Sequence, residues 1–255
     1  MSLAQFYEGP YVEQALESYR AAVPSTWSVS HKLDLYNWAK VAFESEASEP
    51  DKQIAFGQIY DNLRSGWQVF RNAAGPCWSA EKTFQVLTTE GKACSRQTPL
   101  NAANLIVSDS DCQVKACLFS LGKIKPTTRY PSVYPWMAVS KFLHFFNPRL
   151  FPIYDMEFIW NKVANGVFRR DYQDFCQLRG FNPKEDTQRF NLQYTLWASE
   201  IMNDADADCM TTFSEWFASQ VGQHSDRANV MQDVNQYYAA AFEIIAIGAA
   251  HRIGS

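Results

Sequence analysis

At 255 residues, 47% of them hydrophobic and 15% aromatic, the chain has enough apolar side chain for a sizeable core and is not compositionally disordered. Its net charge of −4 at pH 7 argues against indiscriminate attraction to nucleic acid. No apolar run nears the roughly 20 residues needed to cross a bilayer, and the longest, 239–250, is interrupted by Glu243.

In chain order, Phe6, Val12, Leu16, Tyr19 and Val23 form a stripe at helical spacing, which predicts a helix over 5–22 closed by Pro24. Ser25 or Thr26 is the expected cap of a second helix running to about Ala47, with Leu33, Leu35, Trp38, Val41 and Ala42 on its apolar face. Pro50-Asp51 restarts a third, carrying Ile54, Ile59, Leu63, Val69 and Phe70 as far as Arg71, which Gly66 could divide. Ser79 caps a short helix through Leu87. Further helices are expected from Pro99 to about Ser108 and from Asp111 to Leu121.

Pro126, Pro131 and Pro135 force an extended connection over 123–135, the place where any boundary between two lobes is expected. Trp136 to Phe146 then reads as helix and meets a rigid Asn147-Pro148…Phe151-Pro152 corner. Helices over 156–163, 171–179, 186–202, 209–221 and 226–250 complete the chain. No alternating β-branched run is present, so the expected fold is all-α: one compact multi-helix domain over 1–255. The N-terminal stretch has early Glu and no basic apolar leader, so the expected compartment is the cytoplasm.

The six cysteines are scattered without the paired spacing of a zinc site and read as small buried apolar residues. Asp204, Asp206, Asp208 and Glu215 fall on positions 1, 3, 5 and 12 of a calcium loop. Position 6, which needs Gly for its sharp turn, is Cys209. An acidic first helical turn is the alternative there. No phosphate-binding glycine loop or nucleophile–histidine signature occurs, and no cofactor is expected.

Charge is unevenly placed. From Cys112 to Tyr154 there is no Asp or Glu, while Lys115, Lys123, Lys125, Arg129, Lys141 and Arg149 give +6 and leave −10 on the remainder. Such asymmetry can mark an anion-facing surface, or simply a set of solvated lysines. Inside this stretch Lys141 lies among Val139, Phe142, Leu143 and Phe145. Apolar surroundings strip water from an ammonium and can make a nucleophilic amine of it. Asp155 follows Pro152-Ile153-Tyr154, where it could cap the next helix or face a developing cation. Both residues, and His144, can equally be read as parts of a core, with Lys141 lying along aromatic surface and His144 hydrogen-bonded.

The segment SKFLHFFNPRLFPIYD, residues 140–155, resembles a stretch of uncharacterised bacterial proteins with the pattern S-K-x-L-H-x-x-x-P-x-L-F-P-I-x-D. These are in turn similar to the helix-hairpin-helix DNA glycosylases. The resemblance implies that Lys141 matches the Schiff-base lysine and Asp155 the catalytic aspartate. Three features depart from that family: Met137-Ala138-Val139-Ser140 replaces the glycine-rich hairpin, Lys141 and Asp155 are only 14 positions apart, and Glu157 stands in place of a histidine. The expected function is therefore DNA or other nucleic-acid binding, with or without glycosylase- or lyase-like catalysis. Lys125, Arg129, His144 and Arg149 would serve as polar contacts and Tyr134 or Trp136 for stacking. The alternative is a helical protein–protein interaction or accessory protein with no active site, and no membrane association is expected in either case.

Overall fold

The computed structural model describes residues 9–43, 46–67, 79–89, 136–148, 151, 153–155, 177, 207–222 and 238–253. Within them the chain is all-α: no strand occurs, and seven α-helices pack together. They are α1 (Gly9–Ala22), α2 (Val29–Phe43), α3 (Glu49–Ser65), α4 (Ala80–Thr89), α5 (Trp136–Phe146), α6 (Ala207–Gly222) and α7 (Tyr238–Ile253). None of the described helices is long and apolar enough to cross a membrane. The helices expected between 99 and 121 and between 156 and 202, the connection 123–135, and five of the six cysteines lie outside the described residues. Cys209 is buried.

Local signals explain most of the helix starts. Pro24, with no amide hydrogen to give, separates α1 from a single 3-10 turn over Ser25–Trp27. That turn moves the start of α2 past the expected caps. Ser28 does the capping instead of Ser25 or Thr26, its Oγ accepting from the His31 amide at 3.2 Å. Helix α3 begins with Ser48, which accepts from the Asp51 amide at 3.4 Å and donates to its carboxylate at 2.6 Å. Pro50 sits in the first turn, where its missing N–H costs nothing. Ser79 caps α4 through the Lys82 amide at 3.1 Å.

Two layers of contact build the core. Along α1, Val12, Ala15, Leu16 and Tyr19 are buried against α7, whose Ala240, Ala241, Ile244, Ile245 and Ile247 are buried in turn. Small residues let the two backbones approach closely. Helix α2 packs on α3, and α5 packs on both, with aromatic rings filling the junction. Phe142 of α5 lies 5.8 Å from Tyr60, stacked on it, and 6.1 Å from Phe56. Phe56 meets Phe84 of α4 at 5.4 Å, and Phe43 meets Phe146 edge-on at 5.2 Å. Ring pairs at these separations add attraction beyond the area they bury.

The backbone at the calcium-loop spacing follows the other alternative, a helix. Residues 207–215, which would form most of a twelve-residue loop, are α-helical, and Glu215 is exposed on the middle of α6. A helical backbone over these positions is not the turning backbone of such a loop, and Asp204 and Asp206 lie outside the described residues. Among the described residues no cluster of His, Cys, Asp and Glu could hold a metal.

Candidate functional site

Residues 136–146 form α5 over the predicted range, and the chain then reverses at Asn147-Pro148. The helix-ending amide of Asn147 bonds to Leu143 O at 2.9 Å, and that of Phe151 to Asn147 O at 3.2 Å. The returning residues 151 and 153–155 are tied to one face of α5 at two points. Ser140 Oγ accepts from the Tyr154 amide at 3.1 Å. His144, one helical turn further on, bonds through Nδ1 to the Phe151 carbonyl at 2.7 Å. Residues four apart on a helix share a face, so these two ties lie along one line.

Lys141 lies between them in sequence. Its Nζ is 3.7 Å from Asp155 Oδ2, an ion-pair distance without a hydrogen bond, and the two residues are 4% and 8% exposed. The structure thus brings together the two residues that the pattern singled out. Met137 to Ser140 belong to the first half of α5 and form no hairpin.

His144 is fully buried and both ring nitrogens are engaged. Because the Phe151 carbonyl can only accept, Nδ1 carries the hydrogen. Nε2 therefore accepts from the Tyr36 hydroxyl at 2.8 Å. In this structure both ring nitrogens are bonded within the protein, and the residue links α2, α5 and the returning segment. Burial, then the Lys32 charge, push its pKa down to about 3, against the opposing Phe151 hydrogen bond. A folded-state value below the ordinary 6.5 means that the native state holds fewer protons between the two. Its contribution to stability is complete above pH 6.5 and is lost as pH falls toward 3. The expected result is that wild type loses up to about 1.4 kcal/mol more per pH unit on acidification through this window than a His144→Gln variant. Urea titrations of both proteins at several pH values measure it, and parallel profiles would refute it.

A second charged pair, not foreseen from the sequence, adjoins the first. Lys32 of α2 donates to Glu243 Oε2 of α7 at 2.8 Å, and both side chains are buried. Burial pulls the Lys32 pKa down. Glu243 opposes this through charge and hydrogen bond, Lys141 adds to the lowering, and Asp155 counters it. Tyr19 of α1 also feels Glu243, which together with the larger effect of burial holds its phenol well above the ordinary value. Trp67 joins the two pairs: Lys32 Nζ lies 4.7 Å and Lys141 Nζ 5.8 Å from its ring centroid. Its indole N–H donates to Thr26 O at 3.0 Å, which fixes the ring.

Lys125, Arg129, Tyr134 and Arg149 lie outside the described residues, and Trp136 is the first residue of α5. The sequence did hold a signal for the missed residues. Lys32 interrupts the apolar stripe Val29–Leu33–Tyr36, and Glu243 interrupts the alanine- and isoleucine-rich stretch of α7. Charges on faces that must be buried need partners.

No protein-family model matches this chain, and comparison with curated proteins and with solved structures found no match.

Proposed function

We propose that this chain is a divergent helix-hairpin-helix-like nucleic-acid-binding protein, in which Lys141 and Asp155 form an amine–carboxylate pair directed at the sugar of an extruded nucleotide. The observation that supports the reading is the 3.7 Å approach of Lys141 Nζ to Asp155 Oδ2, on a segment tied twice to α5. Lys125, Arg129 and Arg149 would supply the electrostatic contact with phosphate. At an abasic site, Asp155 would take a proton from the Lys141 ammonium. The neutral amine would then add to the C1′ aldehyde and, with loss of water, leave a C=N bond. Binding is the primary claim. Covalent chemistry further requires that the buried Nζ be uncovered when a nucleotide enters.

A second reading is favoured by one observation, the 4% exposure of Lys141 beside another buried lysine–carboxylate pair. On that reading both pairs are internal struts of a helical accessory protein. Fluorescence anisotropy with labelled duplex, single-stranded and abasic-site DNA at low and moderate salt separates the two. Wild type is compared with Lys141→Ala and with a Lys125→Ala/Arg129→Ala double variant. Salt-sensitive binding that is weakened by the double variant is expected, with a preference for the abasic duplex that Lys141→Ala removes. No binding at low salt would sink the nucleic-acid reading in favour of the second.

A further inference from the structure

The family pattern that points to Lys141 and Asp155 assigns nothing to Lys32, Glu243 or Trp67, yet these converge on the same place from α2, from α7 and from the residue just after α3. Two ammonium groups face one indole, at 4.7 and 5.8 Å. The indole cannot turn away, because its N–H is bonded to Thr26 O and Phe145 stands edge-on to it at 5.8 Å. A buried lysine–glutamate pair is a poor way to stabilise a core, since apolar residues of the same volume serve as well or better. What such a pair does provide is definition of place. With two lysines and two carboxylates in one buried volume, each ammonium has more than one carboxylate that could draw it. Lys32 is committed to Glu243 by a 2.8 Å hydrogen bond, whereas Lys141 is held to Asp155 only at 3.7 Å.

We propose that Lys32 is a positioning residue of the Lys141–Asp155 site. Pinned by Glu243 and seated on Trp67, it satisfies the competing carboxylate and repels the Lys141 ammonium along the shared ring toward Asp155. The inference rests on the reading of Lys141 as the reactive amine of the site. Among the described residues, Tyr19 from α1, Lys32 from α2, Lys141 and His144 from α5, Glu243 from α7 and Asp155 are the titratable groups that meet there.

The test uses the full chain with 13C-labelled lysine, so that buried amines are seen whether or not reagents reach them. In wild type, the Cε–Hε cross-peaks of Lys32 and Lys141, identified by their loss in Lys32→Met and Lys141→Met, are expected upfield of the other lysines because of the indole ring current. Both should return to ordinary positions in Trp67→Leu. In the neutral double variant Lys32→Met/Glu243→Gln, the Lys141 cross-peak should move. The yield of borohydride-trapped abasic duplex should then fall roughly tenfold or more with duplex affinity unchanged, the mark of lost placement rather than lost fold.

A Lys141 cross-peak that stays put in the double variant, or that ignores Trp67→Leu, overturns the proposal. Should the double variant not fold, the Trp67→Leu spectrum alone decides. Should wild type trap nothing, the amine reading of Lys141 fails by itself, while the cross-peaks still decide whether Lys32 sets its place.

Discussion

Replacing Gly248 by alanine is expected to destabilise the fold by roughly 3 kcal/mol or more. A Cβ at this position would overlap the Ala15 carbonyl oxygen, lie 2.6 Å from the Ala15 carbonyl carbon and press on Tyr19 Cβ at 3.2 Å. The obstructing atoms are backbone of a neighbouring helix, so no rotamer change relieves the clash. Relief requires α1 and α7 to separate along the most extensive contact between described elements. Gly57 of α3 provides the control. A Cβ there meets nothing within 4 Å, and Gly57→Ala is expected to gain about 0.5–1 kcal/mol from helix propensity alone. Urea denaturation of both variants measures the contrast, and equal effects would show that α1 and α7 are not so closely apposed.

Glu243→Gln is expected to cost about 3–5 kcal/mol, because it strands the Lys32 ammonium in the core. The double variant Lys32→Met/Glu243→Gln should recover most of that loss, since it removes the stranded charge along with its partner. The single variant should also show a characteristic pH response. With Lys32 held below its ordinary 10.5 by burial, the native state carries fewer protons than the unfolded chain between the two values. Stability therefore rises with pH across that interval, and the defect of Glu243→Gln should shrink as the solution is made alkaline. Denaturation midpoints of the three proteins at neutral and alkaline pH test this. A single variant as stable as the double one would mean that Lys32 escapes to solvent.

Much of the helical architecture could be read locally. Helix α5 was bounded by Pro135 and by Asn147-Pro148, and α4 by Ser79, because these residues act on their immediate neighbours. The start of α2 lies two or three residues beyond the expected one. The caps Ser25 and Thr26 were chemically suitable, but the chain spends them on a 3-10 turn and uses Ser28. At the calcium-loop spacing, carboxylate positions alone do not register that residues 207–215 form helix.

At the site, Lys141 and Asp155 were accessible because they fall on one short patterned segment. Lys32, Glu243, Trp67 and Tyr36 were not, since their meeting depends on how distant helices cross, which no local pattern encodes. His144 was ambiguous for a related reason. Its hydrogen-bonding capacity was evident, but only Tyr36 and Phe151 reveal that it is spent inside the protein.

The ion pair between Lys32 and Glu243 spans 211 positions of sequence, and this has a consequence for how the protein is made. A ribosome emitting the chain from its N-terminus produces the lysine long before its counter-charge exists. Until α7 emerges, α1 also lacks the helix that covers its apolar face. The core around α1 and α2 therefore cannot set until α7 has followed, and before then the nascent chain must carry an unmatched cation and bare apolar surface. Products cut short before residue 243 would keep both defects permanently. The pair thus couples the setting of this early core to the synthesis of Glu243, 211 positions later.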